Sequence, residues 1–199
     1  MIVAAYPCTG KSTLSARRWE RCIDLETSNF DKHNPDWADY YADVAIDLYN
    51  QAGRNSERHI FVSTHPAVIN SLNDGRSDFM LLFPSLSLKD VMVMRAEQRL
   101  NLSKVKLDRC KSSISYILDV MAGKEEDPKG PLRYVSVDKL PEYEKKEKDL
   151  NIELGKNERS LARIRDHYEE DINSLMQYNC NKFIFSDPCF YLEKLFGNN

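Results

Sequence analysis

The sequence predicts an α/β fold with a parallel sheet of about five strands, and three observations predict it. Short apolar runs alternate with helical stretches along the first hundred residues. The runs His59–Ser63 and Phe79–Phe83 are continuously apolar, as parallel strands buried on both faces require. A similar run returns at Lys182–Phe185 after a long helical stretch. The chain therefore reads as a core of residues 1–100 and 180–199, interrupted by a helical lid or arm over 101–179.

The elements follow in order. Ile2–Tyr6 is a first strand, Pro7–Gly10 a turn, and Lys11 begins a helix reaching about Arg18. Cys22–Leu25 is a short second strand. Ser28–Trp37 is polar and aromatic, and a helix runs from about Ala38 to Ala52 with Tyr41, Val44, Ala45 and Leu48 on its apolar face. Gly53 stops that helix. Pro66–Leu72 is a short helix between the third and fourth strands. Leu88 to Met121 is helical, with Leu107, Cys110, Ile114, Ile117, Leu118 and Met121 spaced by threes and fours. One glycine and two prolines break the pattern over Lys124–Pro131, and Arg133–Val137 alternates weakly, like a strand. Pro141–Tyr178 is a long charged helix whose stripe is Leu161, Ile164, Tyr168, Ile172 and Leu175. Phe183, Ile184 and Phe185 suit a fifth strand covered on both faces, and a closing helix, Phe190–Phe196, uses Leu192 and Leu195.

Composition limits the function. The chain has 199 residues, of which 42% are hydrophobic and 30% charged, so it can bury a full core without disulfides. A net charge of -3 leaves little for a generic nucleic-acid coat, though it does not exclude a local basic groove. No apolar run approaches ~18 residues, and the first residues lack a signal peptide's basic region, so no membrane segment is expected. Five cysteines with no Cys-x-x-Cys pair read as reduced thiols in a cytoplasm.

The most specific signal is Ala5-Tyr6-Pro7-Cys8-Thr9-Gly10-Lys11-Ser12, a P-loop pattern with Ala in place of the first Gly. It lies between a strand and a helix, the setting its chemistry needs. Backbone N–H groups of Pro7–Thr13 and the helix N-terminus would surround the phosphates of ATP; Pro7 itself contributes shape, having no N–H. Gly10 allows close approach, Lys11 would reach the β- and γ-phosphates, and Ser12 would bind Mg²⁺. Cys8 reads as filler within the loop, with an oxidation-sensitive site as the alternative. The whole is then a P-loop three-layer α/β/α domain.

Asp24 stands at the carboxyl end of the second strand, where α/β sheets gather ligands. It would hold Mg²⁺, through water, or accept a proton from an attacking hydroxyl; Glu26 could share that work. The third strand ends in Ser63-Thr64-His65 with no Asp in the Walker B place, which favours Asp24 or Glu26 for the metal. A turn or cap carboxylate is the plainer alternative.

The P-loop, Asp24-Leu25-Glu26-Thr27-Ser28-Asn29-Phe30, Asn34-Pro35, Phe61-Val62-Ser63-Thr64-His65 and Phe83-Pro84-Ser85-Leu86-Ser87-Leu88-Lys89 together resemble the phage-type P-loop nucleotide kinases. The resemblance covers about residues 1–100 and the last twenty. It implies transfer of the γ-phosphate of ATP to a nucleotide-like acceptor beneath a mobile, arginine-bearing lid. Ala5 and the long insertion from about Gly123 to Tyr178 depart from it, and they leave the substrate's identity open.

Arg95 and Arg99, four apart on one helix, match the lid position and would stabilise charge on the transferring phosphoryl group; Arg109 is a weaker third. A solvated helix face with Glu97 and Asp90 as partners is the alternative. Substrate-binding candidates are Glu26, Ser28, Trp37, Tyr41 and His65; His65 would contact acceptor or phosphate, or equally be a buried, hydrogen-bonded structural histidine. Trp37, Tyr40 or Tyr41 could stack on a base, although aromatics near a helix start are more often core. The segment Gly123–Asp171 has 11 Lys/Arg and 14 Asp/Glu, which suits a salt-bridged helical hairpin better than a nucleic-acid clamp. Its stripe would serve a homodimer or pack back on the core.

The leading expectation is a cytoplasmic kinase that phosphorylates a nucleoside or deoxynucleoside monophosphate. A kinase acting on a hydroxyl in DNA, and a nucleotide-binding regulatory or assembly module that turns over slowly or not at all, are the alternatives.

Overall fold

A computed structural model describes residues 1–52, 58–74, 78–123 and 137–196. The helix stop at Gly53, the break over Lys124–Pro131 and the weak strand beginning at Arg133 lie outside the described residues. The chain divides into two compact units, Met1–Val91 with His167–Asn199, and Met92–Asp166. These changes fall within helices, at positions other than the sequence's 100 and 180.

The first unit carries a five-stranded, all-parallel sheet. Its strands are β1 (Ile2–Ala5), β2 (Cys22–Asp24), β3 (His59–Val62), β4 (Phe79–Pro84) and β5 (Asn181–Phe185), in the order β2-β3-β1-β4-β5. β1 is central, and all four of its residues are fully buried. Val3 lies opposite Phe61 on one side and Met80 on the other. A place inside the sheet, with a paired strand on either side, explains the continuous apolar character of β1, β3 and β4.

The connections are α1 (Lys11–Arg17), α2 (Trp37–Gln51), α3 (Pro66–Asn73) and, after β4, α4 (Lys89–Met121). α2 packs on β1 and β3 and against α3. From β1 the chain moves outward past β3 to β2; from β4 it moves outward the other way to β5. The carboxyl ends of β1 and β4 therefore flank a topological switch point, where open α/β sheets form a crevice.

The edge strand β5 differs from expectation. Phe183 and Phe185 share a face covered by Phe190, whose ring stacks on Phe185 with centroids 4.3 Å apart. Ile184 faces the other way and is 44% exposed. Three successive apolar residues therefore do not mark a strand covered on both sides. The closing helix is also shorter than expected: α6 is one turn, Glu193–Phe196. An Asp187-centred turn occupies the preceding residues, with Asp187 Oδ1 accepting from the Cys189 N–H at 2.8 Å. Leu192 is fully buried, but Leu195 is exposed.

In the second unit, α4 pairs antiparallel with α5 (Leu140–Gln177). Arg165 donates to Glu97, Asn157 to Ser103, and the Cys110 thiol to the Tyr143 carbonyl. Leu107, Cys110 and Leu150 form the buried seam, flanked by Ile114, Tyr143 and Leu154. Leu118 and Met121, expected on the apolar stripe, are exposed. The α5 stripe Leu161, Ile164, Tyr168, Ile172 and Leu175 is buried throughout, although the helix breaks at His167 (φ -126°, ψ 15°). Among the described residues no helix is long and apolar enough to cross a membrane.

Candidate functional site

The loop after β1 is a tight turn with two residues in the left-handed region, Cys8 (φ 61°) and Gly10 (φ 99°). Ala5, where the motif ordinarily has Gly, is the last residue of β1, paired with Leu82, and needs no positive φ. That is why Ala is tolerated there. At Cys8, a non-glycine residue, this φ costs roughly 1–2 kcal/mol, which the rest of the loop must hold in place. At Gly10 the constraint is conformational. A Cβ there would stand 3.5 Å from Tyr191, an ordinary contact, but on a backbone that L side chains rarely adopt.

Hydrogen bonds fix the loop from inside. Thr9 is buried, and its hydroxyl donates to the Tyr6 carbonyl at 2.7 Å. Lys11 Nζ turns back over the loop, donating to the Ala5 carbonyl and, at 3.4 Å, to that of Tyr6. Pro7 is half-buried beside them, and Thr13 is exposed in the first turn of α1.

Ser12 and Asp24 meet. The Ser12 hydroxyl donates to Asp24 Oδ2 at 2.7 Å. Ser15, one turn further along α1, locks the same register: its hydroxyl donates to the Cys22 carbonyl at 2.9 Å and accepts from the Asp24 N–H at 3.2 Å. A hydroxyl and a carboxylate together are hard oxygen donors, the set that Mg²⁺ takes when substrate phosphates and water complete its shell. Among the described residues there is no group of three or more His, Cys, Asp or Glu that could hold a metal alone. These donors fit a cation shared with a phosphate ligand.

Beyond β2, Glu26 is exposed just before a 3₁₀ turn, Thr27–Asn29, which carries the exposed Ser28. Trp37 opens α2, half-buried, with His65 against its edge at 5.2 Å and Lys32 Nζ 5.3 Å from its ring centre. His65 caps α3, its Nδ1 accepting from the Ala67 N–H at 3.3 Å; that assigns the proton of a neutral ring to Nε2. Tyr40 is largely exposed and packs edge-on against Phe30.

Tyr41 must be corrected. It is fully buried, so it offers no ring face for stacking. Its hydroxyl donates to the Leu25 carbonyl at 2.5 Å and accepts from the Ser63 N–H at 3.2 Å, tying the ends of β2 and β3 together. Burial, with Asp24 and Glu26 adding to it against the Ser63 hydrogen bond, pushes the phenol well above its ordinary range. The arginines belong to the second unit, where Arg95 is buried while Arg99 and Arg109 are exposed. Four-residue spacing does not give Arg95 and Arg99 a common environment.

Two contributors escape sequence reasoning. The Leu192 N–H donates to the Thr9 carbonyl at 3.1 Å, and Tyr191, 45% exposed, lies beside Gly10. An ion pair between Arg17 and Glu193 at 2.8 Å holds this segment to α1. The segment shows no motif; only the fold brings it to the loop.

No protein-family model, curated protein or solved structure matches the chain.

Proposed function

We propose that the chain is a P-loop kinase of the three-layer α/β/α type, transferring the γ-phosphate of ATP to a nucleoside or deoxynucleoside monophosphate in the cytoplasm. The observation that carries the reading is the meeting of Ser12 with Asp24 at 2.7 Å, directly after a strand–loop–helix turn bearing Lys11. The likeness of the sequence motifs to phage-type nucleotide kinases supports it, and so does the loop's place beside a switch point.

In this reading the loop amides and Lys11 bind the phosphates of ATP. Lys11 exchanges its present acceptors, the Ala5 and Tyr6 carbonyls, for phosphate oxygens. Ser12 and Asp24 would hold Mg²⁺, which supplies charge neutralisation on the transferring group. The acceptor's phosphate oxygen attacks the γ-phosphorus as ADP leaves, and Asp24 or Glu26 receives the proton of an acceptor phosphate that enters protonated. Ser28, Trp37 and His65 border the acceptor's side.

An acceptor screen tests the proposal. The protein is incubated with γ-labelled ATP and Mg²⁺ against each NMP, each dNMP and single- and double-stranded oligonucleotides. Label on one monophosphate is the expected result. Label on DNA would move the acceptor to a nucleic-acid hydroxyl, and ATP binding without transfer would indicate the regulatory module.

A further inference from the structure

Tyr168 occupies an unusual position for a helix-stripe residue. It is the first residue after the break at His167 in α5, and it is fully buried in the first unit. Its hydroxyl donates to the Ser85 carbonyl at 2.8 Å, just past β4, and the Ser85 N–H in turn donates to the Phe185 carbonyl at 2.8 Å. Its ring meets that of Tyr6 edge-on, with centroids 5.9 Å apart and planes at 89°. The Tyr6 hydroxyl reaches Asp171 Oδ2 at 3.5 Å, three residues along α5.

Tyr6 is the second residue of the phosphate-loop pattern, and its carbonyl accepts from both the Thr9 hydroxyl and Lys11 Nζ. Its N–H is already held by the Leu82 carbonyl at 2.9 Å. The N–H is anchored on β4 and Pro7 confines the Tyr6 backbone to the extended range, so the packed ring is a further restraint on how the residue and its carbonyl sit. A ring wedged against Tyr168 has one choice of rotamer in a close-packed interior.

We infer that Tyr168 is a positioning residue for the phosphate loop: bonded to the end of β4, it fixes the Tyr6 ring, and through Tyr6 the carbonyl that holds Thr9 and Lys11. The ligand in this inference rests on the kinase reading above; the clamp itself rests on geometry. Tyr168 acts through Tyr6 and touches no phosphate. A phosphate loop preorganised in this way binds polyphosphate without first ordering its own backbone.

The test compares Tyr168→Phe, which keeps the ring and loses the Ser85 bond, with Tyr178→Phe. The Tyr178 hydroxyl donates to Asn70 Oδ1 at 2.9 Å, next to the end of the same helix but away from the loop. Amide hydrogen exchange over residues 6–12 and MgATP binding are measured on both full-length variants. In Tyr168→Phe, loop exchange should quicken and MgATP affinity fall by about fivefold each, the scale of one hydrogen bond, with the acceptor KM unchanged. Tyr178→Phe should leave both at parental values. Parental loop exchange in Tyr168→Phe would overturn the inference, as would an equal rise in Tyr178→Phe. If Tyr168→Phe fails to fold, Tyr6→Phe removes the hydroxyl at the other end of the clamp and is read on the same amides. A parent protein that binds no MgATP would defeat the kinase reading, while the exchange comparison would still decide the role of Tyr168.

Discussion

Ser12 and Asp24 are joined by a single hydrogen bond of 2.7 Å, and the two residues stand in that register because Ser15 bonds both ends of the same strand segment. The pair is therefore built from the backbone outward. Removing the Asp24 charge need not disturb the Ser15 contacts that hold it.

Asp24→Asn should lower kcat and kcat/KM together by roughly 10²-fold or more, the scale of a group acting in the transition state. MgATP affinity should change far less. Steady-state kinetics with a direct binding measurement separate the two, and parental turnover would remove Asp24 from the chemistry.

Lys11→Met should abolish transfer, by ~10³ or more on the scale of charge-stabilising groups in phosphoryl transfer, while the protein stays folded. The Lys11 amine bonds loop carbonyls at a half-buried site, and Met keeps most of the stem. Circular dichroism and thermal melting check the fold; labelled-ATP transfer checks the activity. A folded Lys11→Met protein that turns over normally would contradict the phosphate-loop assignment.

The helical pair of the second unit contains a buried polar chain: Asn157 Nδ2 donates to Ser103 Oγ at 2.8 Å, and Ser103 to Glu153 Oε1 at 2.9 Å. Asn157 and Ser103 are 2% and 1% exposed, so losing Asn157 leaves the Ser103 oxygen without its donor away from water, although the Ser103 hydroxyl keeps Glu153 as acceptor. Asn157→Ala should destabilise the protein by about 1–3 kcal/mol. Adding Ser103→Ala should cost less than the sum of the single changes, because the two residues share one network. Denaturant titration of the four proteins gives the coupling, and strict additivity would refute the network.

Tyr41 gives a pH dependence of known sign. Its phenol stays neutral in the folded state above pH 10, the ordinary value, whereas the unfolded chain's phenol ionises there. The unfolded state then binds fewer protons, so stability falls as pH rises beyond 10, at about 1.4 kcal/mol per pH unit from this residue. Below pH 10 the residue adds no slope. Tyr41→Phe should be less stable at neutral pH, through the lost bonds to Leu25 and Ser63, but less steep in alkali. Equal alkaline slopes in both proteins would show that Tyr41 is not the titrating group.

The sheet's centre was legible because β1, β3 and β4 are buried on both faces, which leaves no alternation for the sequence to hide. Ser12 and Asp24 were legible singly, from residue type and placement; their meeting depends on Ser15, which carries no motif. Tyr41 was not legible, since an aromatic near a helix start looks the same whether it faces a ligand or the core. β5 was misread because the sequence shows three apolar residues but not what lies across from Ile184. Arg95 and Arg99 differ because residues four apart stand about 40° apart around a helix, enough to cross the edge of a buried stripe.

The bond from Leu192 to Thr9 also sets an order of assembly during synthesis. Thr9 lies in the loop after β1, and Leu192 follows it 183 positions later (192 minus 9). At ~5–20 residues per second, a ribosome needs roughly ten to forty seconds to pass from one to the other. Throughout that interval the nascent loop lacks the backbone partner that holds its Thr9 carbonyl, and β1 lacks neighbours until β3 and β4 emerge. The loop that looks most finished in the sequence thus waits for a segment made long after it.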